Sequence, residues 1–176
     1  MLRKLHHLSV IIILEPLSDS VHIQNFKAQL SMDNAISNCN GKIWVFWSTD
    51  IDYKILDEDE QQITCNMKHN ELPYQFANTF VYAKCKDHLR RPLWNKMIQH
   101  STLNDNPWCA MGDFNVITSF EKRLGGLPYN MRTRIEYINV IEACGLLDIG
   151  FSGQKFTWCN KRGINRRIWK TIFNDS

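Results

Sequence analysis

No Cys-x-x-Cys pair and no paired Cys/His spacing occurs among the six cysteines, so the ligand set of a structural zinc ion is missing. Cys39, Cys65, Cys85, Cys109, Cys144 and Cys159 lie far apart, and several fall inside apolar runs, where buried free thiols are found. Their even number would allow disulfides, but nothing else points to secretion, and a reducing compartment is expected. No apolar run approaches the length of a bilayer span, so no membrane partner is expected. The run at 8–14 follows a basic start, Met1-Leu2-Arg3-Lys4, but it is short, ends at Glu15-Pro16 and precedes no small-residue cleavage site. It reads as a buried strand rather than a leader. Internal repeats and low-complexity segments are also lacking. The net charge of +3 falls short of a strongly basic footprint, while remaining compatible with nucleic-acid contact.

What is present is a chain of 176 residues, 44% apolar and with six tryptophans, enough for one domain spanning residues 1–176 with its own core. Residues 9–14 read as a central strand, apolar on both faces. Pro16 biases Glu15 toward an extended conformation. Ser18 or Asp19 can cap a helix to about residue 30, with Ile23, Phe26 and Leu30 on one face. Strands follow at 42–48, 51–56, 62–68 and 75–84, with the acidic turn Asp57-Glu58-Asp59-Glu60 between the second and third. A helix starts at Asp87 and runs to about His100, with Leu89, Leu93, Met97 and Ile98 inward and His88 and His100 toward solvent. After a strand near 108–113 come a glycine-rich loop at 121–129 and a helix over 132–144 whose faces are set by Ile135, Ile138 and Ile141 or Glu142. Gly145 is a natural C-cap for that helix. Strands at 155–160 and 167–173 close the chain. The order βαββββαβαββ mixes hairpins with crossovers and points to α/β layers with mixed sheets.

Three strand tips carry residues suited to chemistry. In Trp108-Cys109-Ala110-Met111-Gly112-Asp113-Phe114-Asn115, a buried strand ends at a glycine and delivers an acceptor and a donor. An extended backbone would turn Asp113 and Asn115 one way and Phe114 the other. Asp113 could hold or deprotonate a water, and Asn115 could donate to a phosphate oxygen. The plainer reading is an Asp/Asn turn after a strand. Glu15 is either a metal ligand or a solvated strand end. Tyr82 either donates its phenol to a phosphate or is a core tyrosine with a satisfied hydroxyl. A fourth feature is the stretch 155–170, with Lys155, Lys161, Arg162, Arg166, Arg167 and Lys170, no acid, and the interleaved Trp158 and Trp169. Such a hairpin can grip a phosphate backbone while a ring packs on a sugar or base, or it can simply be a solvated basic hairpin.

In their order, these tips, followed by Phe156-Thr157-Trp158, resemble the exonuclease–endonuclease–phosphatase superfamily. More narrowly, the chain resembles the endonuclease domain of plant non-LTR (LINE-type) retrotransposon polyproteins. The matching stretches are Ile13-Leu14-Glu15-Pro16, Phe80-Val81-Tyr82-Ala83, Arg91-Pro92-Leu93-Trp94, Pro107 through Ile117 with its Gly-Asp-Phe-Asn, Gly145-Leu146-Leu147-Asp148, Phe156-Thr157-Trp158-Cys159-Asn160 and Arg167-Ile168-Trp169-Lys170. The resemblance implies a four-layer α/β sandwich, two mixed sheets flanked by helices. It also implies Mg²⁺-dependent (Mn²⁺ is possible) phosphodiester hydrolysis that nicks DNA. By that resemblance Glu15 would hold the metal, Asp113 would position or deprotonate the attacking water, Asn115 would hold a phosphoryl oxygen, and Tyr82 would stabilise the transition state. DNA is the implied partner, a monomer is assumed, and the location would be intracellular, nuclear if genomic DNA is the substrate.

The family also opens with a strand bearing an Asn and closes with Ser-Asp-His. Neither is found here, and Thr171-Ile172-Phe173 stands where Arg-Leu-Asp-Arg is usual. The expectation is a domain incomplete at both termini and weak or inactive as a nuclease. The alternative is a catalytically silent remnant that binds nucleic acid through the basic hairpin. An inositol-phosphatase-like branch of the superfamily fits the quoted stretches less well.

Overall fold

Ile43, Trp44, Val45 and Phe46 are all fully buried, and the strand they form, β3 (Ile43–Trp47), is the spine of the first sheet. In this computed structural model, which describes residues 8–116, 123–124, 131–147, 158–159 and 169–170, β1 (Val10–Leu14) and β2 (Asn34–Ser37) flank β3. Both pair with it antiparallel, Ile12 and Ile36 opposite Val45, giving the order β1-β3-β2. Alternation along β3 splits its side chains between two cores. Trp44 and Phe46 face helix α1 (Ile23–Leu30), packing with Ile23, Met32, Phe26 and Leu30. Ile43 and Val45 face the second sheet, packing with Ile51, Ile63, Cys65, Met67 and Phe80.

The second sheet has the order β4-β5-β6-β7: β4 (Ile51–Glu58), β5 (Gln62–His69), β6 (Phe76–Tyr82) and β7 (Trp108–Asp113). The first three are joined by hairpins and run antiparallel, with a bulge between Ile55 and Asp57. Helix α2 (Asp87–Leu103) connects β6 to β7. The bonds Ala77 N–H to Pro107 O and Ala83 N–H to Asp113 O, each 2.8 Å, keep one sequence offset, as parallel strands do. The sheet is therefore mixed. The α/β class with two sheets and flanking helices agrees with the sequence.

The chain divides into two compact units: Met1–Tyr82 with Asn104–Met111, and Ala83–Leu103 with Gly112–Ser176. The second contains α2, α3 (Met131–Ala143) and a small antiparallel sheet of β8 (Arg123–Leu124), β10 (Trp169–Lys170) and β9 (Trp158–Cys159), in that order. Trp169 pairs with Cys159 and Lys170 with Trp158, so the two last strands read from the sequence do pair. Helix α3 ends in the arrangement expected of a left-handed glycine cap: Gly145 has φ +65, Gly145 N–H bonds Glu142 O and Leu146 N–H bonds Ile141 O.

Several local expectations need correction. Among the described residues β1 pairs with β3 alone, so β3 and not β1 is central. Strand β2 is polar at both ends and too short to show a period; it exists because β3 offers a free edge. The inner face of α2 is Arg90, Leu93, Trp94 and Met97, while Leu89 is exposed and His100 half-buried. On α3 the buried positions are Thr133, Tyr137 and Val140, and Ile135 is exposed. Asp19, not Ser18, receives the Val21 N–H ahead of α1. Cys39, Cys65, Cys85, Cys109 and Cys144 are free thiols, Cys39 and Cys85 exposed and Cys65 buried. Burial pushes the Cys65 thiol up to about 12.

Asn38, only 3% exposed, straps the first sheet to the second. Its Oδ1 accepts the Lys42 and Ile43 N–H groups, and its Nδ2 donates to the Asp59 carbonyl, each at 2.9 Å. Asn38→Ala leaves buried backbone groups without partners and is expected to destabilise by about 2–4 kcal/mol. Asn38→Asp retains the acceptor but sets a carboxylate against a carbonyl, so it should fail to restore the loss. Urea midpoints of the three proteins decide; a wild-type midpoint for the alanine variant would remove the strap.

Candidate active site

Glu15 and Tyr82 sit at the same end of the first unit. Glu15 follows β1, and its N–H bonds the Lys42 carbonyl at 2.8 Å. Tyr82 ends β6, and its N–H bonds the Gln61 carbonyl at 2.8 Å. Asn38 ties those two neighbourhoods together through Lys42 and Asp59. The Glu15 side chain is exposed, while Tyr82 is half-buried, its ring against the core between the sheets. Pro16 does not keep Glu15 extended: its φ is +48, in the left-handed region. The chain turns sharply there while the Glu15 amide is still held by β3's side of the sheet.

Asp113 and Asn115 lie together in the second unit, but an extended strand is not what aligns them. Asn115 has φ +51, and its N–H bonds Asp113 Oδ1 at 2.9 Å, closing an Asx turn. Gly112, with φ +139, supplies a conformation that a side chain would obstruct. Asn115 Nδ2 donates to the Ala83 carbonyl at 2.6 Å, and the Ala83 N–H donates to the Asp113 carbonyl. Phe114 points the other way, as expected. It is 9% exposed and packs among Trp94 and Tyr137, with ring centroids 6.4 and 5.4 Å away. Magnitudes explain why the turn holds. A left-handed non-glycine residue costs about 1–3 kcal/mol. Burying a phenylalanine returns about 2 kcal/mol, and each of the bonds to Asn115 adds about 1 kcal/mol.

Sequence reading passed over Arg90. Its side chain is 2% exposed. One terminal nitrogen, Nη1, donates to the carbonyls of Lys84, Cys85 and Asn115 at 3.1, 3.0 and 3.2 Å, and Nη2 donates to Asp87 Oδ1 at 2.8 Å. Asp87 Oδ2 in turn accepts the Thr133 hydroxyl from α3. The signal was available: Arg90 lies in phase with Leu93, Trp94 and Met97, a charge on an otherwise apolar stripe. Lys155, Lys161, Arg162, Arg166 and Arg167 lie outside the described residues, as do the Lys170 side chain and Phe156-Thr157. Among the described residues no three His, Cys, Asp or Glu side chains gather as a metal site. A metal here would take one carboxylate plus water and substrate oxygens, which suits Mg²⁺, and the exposed Glu15 carboxylate is compatible with that role.

The Thr133 hydroxyl, with the Arg90 guanidinium beside it, holds the Asp87 carboxyl below its usual range. A carboxyl whose folded pKa is lowered stabilises the fold fully above its unfolded value, about 3.9, and that contribution fades as pH falls through the lowered value. The gap in unfolding free energy between wild type and Asp87→Asn should therefore stay constant from pH 7 to about 4 and narrow below. Urea titrations at several pH values test this; a gap that widens on acidification contradicts it.

No protein-family model and no curated protein matches the chain. Solved structures do. The endonuclease domain of TRAS1, a telomere-specific non-LTR retrotransposon, matches with a TM-score of 0.69 at 10% identity, over 97% of this chain and 73% of that one. The beta toxin of Staphylococcus aureus matches with a TM-score of 0.56 at 12% identity, over 89% of this chain and 65% of that one. At such identities the likeness is one of fold alone, in keeping with the two sheets and flanking helices described above.

Proposed function

We propose that this chain is the Mg²⁺-dependent DNA endonuclease domain of a plant non-LTR (LINE-type) retrotransposon polyprotein. The supporting observation is the Asp113–Asn115 turn, fixed at a strand end of a fold that matches an endonuclease domain over 97% of the chain. Asp113 positions the attacking water and takes its proton; one carboxylate oxygen is engaged by the Asn115 amide, which sets the orientation of the other. Asn115 Nδ2 carries a second N–H beyond the one given to Ala83, suited to a phosphoryl oxygen. Tyr82 donates its phenol to the charge that grows on the phosphoryl group. Glu15 would hold Mg²⁺, or Mn²⁺ in its place, and the bound ion would neutralise phosphoryl charge. Lys155, Lys161, Arg162, Arg166, Arg167 and Lys170 contact the DNA backbone.

The test is nicking of supercoiled plasmid by the 176-residue chain with Mg²⁺. Asp113→Ala is expected to abolish nicking, and Asn115→Ala or Tyr82→Phe to slow it by about 10²–10³-fold. Absence of nicking at every Mg²⁺ and Mn²⁺ concentration would sink the catalytic reading. Binding without nicking would leave the DNA-binding remnant. In that case Arg166→Ala and Arg167→Ala should each flatten the slope of log affinity against log salt by about 0.9. Salt-independent binding would exclude it.

A further inference from the structure

Arg90 touches neither Asp113 nor the Asn115 side chain, yet the turn that presents both depends on it. Its guanidinium is nearly dry, and a buried cation is tolerable only when hydrogen-bonded acceptors replace its water. The acceptors are the carbonyls of Lys84 and Cys85, in the segment after β6, and of Asn115, in the turn after β7. One planar cation therefore pins two strand exits at once. Each end of Asn115 is held: its N–H by Asp113 Oδ1, its carbonyl by Arg90, with its side chain on the Ala83 carbonyl. Because φ at Asn115 is +51, releasing the carbonyl lets the residue relax toward the ordinary negative-φ regions. That relaxation would swing its N–H away from the Asp113 carboxylate. Behind Arg90, Asp87 fixes the guanidinium and is itself oriented by Thr133 of α3.

We infer that Arg90 is a positioning residue that locks the Asp113–Asn115 turn in its working conformation, with Asp87 and Thr133 as its backing. As an assignment for catalysis this rests on the nuclease reading above; as a statement about the turn it does not. A lysine has no planar fork to reach three carbonyls and a carboxylate together.

Amide hydrogen exchange in wild type, Arg90→Met, Arg90→Lys and Thr133→Val tests the lock without any reaction. In Arg90→Met, exchange at Asn115 and Ala83 should accelerate by about tenfold or more, as for a lost hydrogen bond. Phe46 in β3 and Cys65 in β5 should be unchanged. Arg90→Lys should fall between, and Thr133→Val should show a smaller acceleration at the same two amides. Uniform acceleration across the chain, or none, overturns the inference. Should Arg90→Met fail to fold, Thr133→Val alone decides by the same criterion. If the wild-type chain nicks DNA, Arg90→Met should lower kcat by about 10–100-fold with KM little changed. An unchanged kcat would remove the catalytic role. A wild-type chain that does not nick, with selective exchange at Asn115, would fail the nuclease reading and leave the lock standing.

Discussion

Strand β3 has no polar face, and much of the first unit follows from that constraint. A strand with apolar side chains on both sides must be covered twice. Helix α1 covers Trp44 and Phe46, and the second sheet covers Ile43 and Val45. Once the layers are stacked in this way, the strand ends of both sheets meet water at common edges. Asn38 closes one such edge by satisfying backbone groups from each sheet. Glu15 and Tyr82 emerge beside that closure, so their shared location is a product of how the core is covered.

The second unit answers a different problem. A short turn must hold two polar side chains with one of them, Asn115, in the left-handed region. Apolar burial of Phe114 anchors the turn from one side, and a desolvated cation anchors it from the other. These anchors are complementary in kind. The ring stack with Trp94 and Tyr137 is tolerant of direction, whereas a guanidinium bonding three carbonyls is strict about it. Backbone strain of this kind persists only where its surroundings over-determine it.

What the sequence disclosed and what it hid divide along physical lines. Aromatic and β-branched runs revealed β3 and β6, because such residues favour a pleated, buried surface, and the alternation of Ile63, Cys65 and Met67 revealed β5. Gly145 disclosed the end of α3, because its φ is one that glycine adopts without cost. Strand β2, Asn-Ala-Ile-Ser, had no signal of its own, since its existence depends on pairing with β3. Leu89 was expected inside with Leu93, Met97 and Ile98, and Ile135 was expected to help set the faces of its helix. Arg90 and Thr133 occupy inner positions, where both are hydrogen-bonded to Asp87. The Gly-Asp-Phe-Asn stretch marked the candidate site by residue type, and Phe114 turned inward as alternation required. The left-handed Asn115 could not be read from alternation, because it depends on a partner twenty-five residues away.

Among the described thiols, the two exposed ones fall one to each unit: Cys39 follows the sheet-strapping asparagine, and Cys85 offers its carbonyl to the buried guanidinium. Of the other described cysteines, Cys65 is buried and Cys109 and Cys144 are half-buried. With Cys159 replaced by alanine, a maleimide-linked pair of spin labels can be attached at Cys39 and Cys85, one reporter on each unit. The spacing and its spread, read by pulsed electron resonance, would turn two reactive side chains into a ruler for how the two units are arranged in solution.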